Sequence, residues 1–295
     1  MNDQLSPKRV ARAIGVSEAS LKRWCDKGLI SAARTAGGHR RLSRASVVEF
    51  LRSTGHPVTA PELLGLPATC GSGDGVIEHA VERIFSALID SDDERVRRVI
   101  FDLYLAGRSM IEIGDRAIAT AMHQIGRAWE AGRIEVYQER RAVEVCTSVI
   151  GELRRVLPPP SATAPLTLGG SLAPDPYTLV GHMAELVLLE AGWRAQSLGI
   201  GHPVETLIAA IKAKRPRMFW LTASSVEEPE RFVADCRRLC AAARENGAAL
   251  VVGGRALNEG LRRELDYHAY CDNLRNLVSF AESLRLSQAS GQTVS

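Results

Sequence analysis

Ala248-Ala249-Leu250-Val251-Val252-Gly253-Gly254 is an apolar run closed by two glycines. It reads as a strand, and the Gly pair at its end lets a ligand or a neighbouring stretch of backbone approach closely. Around it, short apolar runs alternate with helical patterns. Strands are predicted at 166–169, 193–198, 218–222, 248–252 and 267–271, and helices at 178–191, 204–214, 230–246 and 274–285. Such alternation predicts a doubly wound parallel sheet, whose ligands sit at the carboxyl ends of strands. Thr222, Ser224 and Ser225 follow the strand before and offer hydroxyls on the same rim as Gly253 and Gly254.

Upstream of this α/β region (166–288, with a tail at 289–295), Pro158-Pro159-Pro160 opens a short stiff linker over 158–165. Before it, residues 76–157 carry four helical patterns, broken near Asp90-Ser91, Gly107-Arg108 and Ala131-Gly132, which predicts a four-helix bundle. Ser91 with Glu94 and Ser109 with Glu112 have capping-box spacing. Ile111, Ile118, Met122, Ile125 and Trp129 form an inward stripe on the third helix, and Val136, Val143, Cys146, Ile150 and Leu153 one on the fourth. Glu139 and Arg140 fall at or beside that line, and a carboxylate there needs a partner or a ligand. Residues 56–75 are rich in Pro, Gly, Thr and Ser and read as a flexible linker.

The first 55 residues differ in charge. Over residues 1–60, eleven Lys and Arg face four Asp and Glu, a balance of +7; the chain totals +3, which leaves −4 on the remainder. A basic head on an acidic body suits a protein of which one end meets a polyanion. Ser6-Pro7 starts a helix, Gly15 ends it, and Ser17 caps a second in which Ala19, Leu21 and Trp24 pack while Ser20, Lys22 and Arg23 reach outward. That is helix-turn-helix spacing. Arg34-Thr35-Ala36-Gly37-Gly38-His39-Arg40-Arg41-Leu42 reads as a cationic β-hairpin wing, and Ser43 caps a further helix.

The head resembles the MerR family of transcriptional regulators, through Gly15-Val16-Ser17, Leu21-x-x-Trp24-x-x-x-Gly28-Leu29-Ile30 and Arg34-x-x-Gly37-Gly38-His39-Arg40-Arg41. The resemblance implies a winged helix-turn-helix dimer on near-palindromic double-stranded DNA, with Ser20, Lys22 and Arg23 near bases or phosphates and Arg34, His39, Arg40 and Arg41 as wing contacts. The order of head, helical cap and α/β domain, with Val251-Val252-Gly253-Gly254 and Ala191-Gly192-Trp193, resembles the cobalamin-dependent light-sensing MerR repressors. Trp129 and Glu139 match that family's Trp-x9-Glu-His motif, in which the Trp covers the upper face of the cofactor; Arg140 stands in place of the His. In the first loop of the α/β domain the family has a His able to ligate cobalt, and this chain reads Asp175-Pro176-Tyr177-Thr178-Leu179-Val180. A phenol of pKa about 10 cannot act as a neutral imidazole does.

The expected fold is therefore mixed α and α/β: a winged head, a four-helix bundle and a cobalamin-binding-like doubly wound domain. The expected function is a ligand- or light-responsive transcriptional regulator, a repressor by resemblance, acting as a homodimer or tetramer. Its ligand pocket is assigned to Trp129, Glu139, Arg140, Cys146, Tyr177, Thr222, Ser224, Gly253 and Gly254. A tetrapyrrole other than cobalamin, a bilin such as biliverdin or a haem, is preferred, with Cys146 as a thioether anchor or a plain core residue. A ligand-free regulator with a degenerate pocket, and a cobalamin-binding protein or corrinoid carrier, remain open. His-ligated cobalamin is disfavoured, and no catalytic or metal-binding residues are assigned. The N-terminus lacks a signal-peptide order, no apolar run reaches membrane-spanning length, and the six cysteines form no Cys-x-x-Cys pair, which together predict a reduced, cytoplasmic protein.

Overall fold

The computed structural model describes residues 4–68, 70–71 and 75–289, and the chain divides into two units, 1–158 and 159–295. In the head, β1 (Gln4–Leu5) is followed by α1 (Pro7–Ala13), α2 (Glu18–Asp26), β2 (Ala32–Arg34), β3 (Arg40–Ser43) and α3 (Arg44–Thr54). Three serines set the helix starts: Ser6 accepts from the Arg9 amide, Ser17 from Ser20 and Ser43 from Ser46, each satisfying a donor that the first turn leaves unpaired. The hairpin pairs Arg34 with Arg40 and turns at Gly38, whose φ of 77° a residue with a side chain resists. β1 adds a third strand on the far side of β3, too short to leave a sequence pattern. Ala19, expected to pack, is exposed, while Leu21 beside it is fully buried.

The stretch 56–75 is not a free tether where it is described. The Thr59 and Ala60 amides both donate to Ala13 O at 2.9 Å, and the 3-10 turn Pro61–Leu64 lays Leu64 against α1 at 0% exposure. Gly71 N–H donates to the Asp102 carboxylate at 2.6 Å. Pro and Gly composition opposes regular structure, but Leu64, Leu66 and Cys70 are apolar and bury nonetheless. Thr69 and Ser72 to Asp74 of that expected linker, and residues 290–295 of the expected tail, lie outside the described residues. Arg52 of α3 donates from Nε to Tyr104 O at 3.0 Å and from its guanidinium to Arg108 O at 3.1 Å, with the guanidinium 3.9 Å from the Tyr104 ring centroid.

The bundle comprises α4 (Ile77–Ile89), α5 (Asp93–Leu105), a π-helical stretch Glu112–Ile118 continuing into α6 (Ala119–Glu130), and α7 (Val136–Val156). The helix breaks fall where sequence places them. The Ser109–Glu112 box forms, at 3.0 and 3.2 Å. At α5 the cap is instead Asp92, which accepts from the Arg95 amide at 3.0 Å; Ser91 takes a left-handed φ of 56° in the turn, so its hydroxyl is not positioned as N-cap.

The second unit is a five-stranded parallel sheet of order β5-β4-β6-β7-β8. Its elements are β4 (Leu166–Gly170), α8 (Leu179–Glu190), β5 (Arg194–Ser197), α9 (Val204–Lys214), β6 (Met218–Thr222), α10 (Pro229–Glu245), β7 (Ala249–Gly253), α11 (Glu259–Glu264), β8 (Ala269–Cys271) and α12 (Leu274–Ala289). All residues of β6 are buried, as a strand covered on both faces requires. One face packs on α9 and α10 through Leu168, Leu207, Phe219, Leu221, Leu239 and Leu250; α8 and α12 cover the other. The sequence reading omits α11, a short helix capped by Asn258. Among the described residues no helix is long and apolar enough to cross a membrane.

Candidate functional site

In the head, the recognition helix is built to expose cations. Leu21 points inward and Trp24 packs on Phe50 at 4.9 Å between ring centroids, which leaves Lys22 and Arg23 on the open side. Ser20 Oγ accepts from Ser17 Oγ at 3.0 Å and lies 3.5 Å from the Arg23 guanidinium, so it braces the helix start and the Arg together. On the wing, Arg34, His39 and Arg41 are exposed. Arg40 is not: its guanidinium pairs with Asp26 and donates to Lys22 O at 3.0 Å, tying the wing to the recognition helix. Strand alternation causes the split, because Arg41 and Arg40 point to opposite sides of β3. Of the expected wing contacts, Arg34, His39 and Arg41 stand open, while Arg40 is held between the wing and α2.

On the bundle, the expected pocket residues separate. Trp129 is 47% exposed, so the inward stripe of α6 ends at Ile125, which is 1% exposed. Trp129 lies in the last turn of α6, beyond the buried Ile125 and Ala128. Trp129, Val136 and Tyr137 are exposed apolar side chains around the α6–α7 turn. Glu139 has a side chain only 17% exposed, and its carboxylate lies 3.6 Å from Arg140 Nε. Cys146 is fully buried beside Met122 Sδ, and burial pushes its thiol up to about 12. Its burial places Cys146 in the core of the bundle, the second of the two readings its position allowed.

In the α/β unit, the loops after β4 and β6 are joined by Asp175. Its carboxylate, 3% exposed, accepts from the Ser224 amide at 2.6 Å and the Tyr177 amide at 3.1 Å. Burial raises its pKa in spite of these amides and of Arg255. The Arg255 guanidinium lies 4.9 Å from the Tyr177 ring centroid, and its Nε donates to Ser224 O at 3.2 Å. Sequence reasoning quoted Asp175 at the head of the loop but missed it as the joint, and missed Arg255 as the cover, which no motif marks. Thr222 is buried, as is Ser224, whose hydroxyl has no partner. Backbone approaches the Gly pair closely: a Cβ on Gly253 would come within 2.7 Å of Cys271 O, and one on Gly254 would strike the backbone of Ala223. Trp193, fully buried, is likewise core.

A shallow hollow, open to solvent, does lie between the loops after β4 and β6. Its walls include Leu172, Pro174, Ser225, Glu227, Arg231 and Asp235, and of the residues predicted for the rim only Ser225 is among them. It sits where the strand order reverses, the position at which doubly wound sheets bind ligands. Among the described residues no three His, Cys, Asp or Glu are grouped to hold a metal ion. A corrinoid held through an imidazole meets Tyr177 under Arg255 at the loop; His182, the nearest imidazole in sequence, is on α8 and 3.9 Å from Glu185. The residues present do not fit that ligand.

Comparison with known proteins matches two segments. Residues 5–55 match the helix-turn-helix domain family and residues 80–154, the bundle, match the B12 binding domain family. No curated protein sequence matches the chain. Among solved structures, the Methanosarcina barkeri monomethylamine corrinoid protein is 15% identical, with a TM-score of 0.53 over 71% of this chain and all of that one, a likeness of fold. A cobalamin-binding protein from Desulfitobacterium hafniense DCB-2 is 16% identical over 69% of this chain and 98% of that one, at a TM-score of 0.37. The chain thus joins an N-terminal helix-turn-helix domain to a helical domain of the B12-binding type and a doubly wound α/β domain.

Proposed function

We propose that this chain is a non-enzymatic, DNA-binding transcriptional regulator of the MerR type. The observation that carries the reading is the head: a capped recognition helix exposing Lys22 and Arg23 beside a wing exposing Arg34, His39 and Arg41, on a segment with a balance of +7. Cations so placed meet phosphates on either side of a groove-bound helix. Two heads on a near-palindromic operator raise effective concentration without a new base contact, so self-association of the body sets occupancy and promoter occlusion gives repression.

The body then serves as an assembly module in preference to a bilin or haem sensor. Burial of Cys146, the residue offered as a thioether anchor, and the Arg255 guanidinium over the Tyr177 ring support this reading. A corrinoid-responsive regulator is the second reading, favoured by the B12-binding match over residues 80–154. Both share one test: mobility shift of the full chain on duplex DNA at low salt, with and without hydroxocobalamin. A shift without ligand supports the first reading, a cobalamin-dependent shift supports the second, and no shift in either condition sinks both.

A further inference from the structure

We propose that Trp220 closes the α/β unit to the nucleotide tail of a corrinoid, so that the interior of this unit holds none. Cobalamin is a corrin ring with a long tail ending in 5,6-dimethylbenzimidazole. A protein that binds it with this base released from cobalt must lodge the tail, and in a sheet covered on both sides the room has to be opened between the sheet and a helical layer. A strand residue without a side chain is where such a slot can open.

Gly169 on β4 is such a residue, and the slot beside it is filled. Phe219 and Leu221 belong to the cluster packed with α9 and α10. Trp220 lies between them in β6, so strand alternation turns it to the face of α8 and α12. Its partner across the β4–β6 register is Gly169, and a Cβ on Gly169 would fall inside the indole ring. Trp220 is 2% exposed and its indole N–H has no hydrogen-bond partner, so the ring is held by shape and apolar area. The other approaches are closed as well: Arg255 lies on Tyr177, and the Ala223 backbone fills the space left by Gly254. This inference stands apart from DNA binding and is tested without it.

The test uses the full chain and its Trp220→Gly and Trp220→Ala variants, with hydroxocobalamin and 5,6-dimethylbenzimidazole as probes. After incubation with hydroxocobalamin and gel filtration, the wild-type protein is expected to carry no corrin absorbance, and its melting temperature to be unmoved by dimethylbenzimidazole. In the variants the vacated indole space takes the free bicyclic base, which raises their melting temperature by about 3 °C or more at saturation. Wild-type protein that retains stoichiometric corrin overturns the proposal. So does a folded variant, by far-ultraviolet circular dichroism, whose melting temperature dimethylbenzimidazole leaves unchanged. If neither variant folds, the wild-type arm decides alone: retention overturns the proposal and exclusion sustains it.

Discussion

Asp175→Ala should cost the α/β unit about 3 kcal/mol. The carboxylate is 3% exposed, and its two oxygens take different amides, Ser224 at 2.6 Å and Tyr177 at 3.1 Å, from the loops after β6 and β4. Truncation leaves the buried Ser224 N–H and the part-buried Tyr177 N–H without this acceptor, at up to about 1–3 kcal/mol each. Relief of the buried charge returns part of that loss, since burial is the largest influence on the carboxyl and raises its pKa. Asp175→Asn keeps one acceptor but turns an NH2 toward the other amide, for a loss of about 2 kcal/mol. The pH dependence has a fixed sign. With the folded pKa raised above 3.8, the native state binds more protons than the unfolded chain in the window between the two values. The stability from protonating Asp175 is therefore full below 3.8 and is lost as pH rises through the raised value, so the gap between wild type and Asp175→Ala narrows with rising pH across that window. Urea unfolding of the full chain reports it, because Trp193 and Trp220 are buried in this unit. A loss under about 1 kcal/mol, or a gap that widens with pH, would refute the assignment of Asp175 as the joint.

Asp26→Ala separates the two roles open to Arg40. If Arg40 positions the wing through Asp26 and Lys22 O, removing the acid weakens DNA binding although the head becomes more positive; if Arg40 instead contacts phosphate, the same change strengthens binding, and fluorescence anisotropy on duplex DNA reads the direction. Arg52→Ala should lower the stability of the first unit by about 3–6 kcal/mol, because Arg52 makes two charge-assisted bonds to the carbonyls of Tyr104 and Arg108, each worth about 1.5–3 kcal/mol. Limited proteolysis should then cut between residues 54 and 75, and uncut, equally stable protein would contradict the anchoring role.

Where the chain signals structure through local chemistry, the sequence is a reliable guide. Ser17 before α2 and Ser109 with Glu112 cap as their spacing demands, because the donor and acceptor lie within one turn. The sheet is legible for a related reason: buried parallel strands are continuous apolar runs, as Met218–Thr222 and Ala249–Gly253 are. The candidate site was less so, since its contents depend on what lies across the fold. Arg40 and Arg41 are adjacent identical residues, and only the position of Asp26 distinguishes them. Trp129 continues a helical stripe into the last turn of α6, where periodicity alone does not say that the stripe is still covered. Gly254 carries the motif of a ligand approach, yet the Ala223 backbone uses the space. Trp220 sits in an apolar strand where any large side chain would look like core, and its pairing with Gly169 appears only once the register of β4 and β6 is known.

The salt dependence of DNA binding tests the central claim most directly. Anisotropy of the full chain on duplex DNA, measured against salt concentration, is compared with that of a Lys22→Ala/Arg23→Ala variant. Lys22, Arg23, Arg34 and Arg41 as phosphate contacts give a slope of log affinity on log salt of about −3 to −4 for each bound head, and the variant loses roughly 2 units of slope per head. Absence of binding at low salt, or an unchanged slope in the variant, would contradict the account.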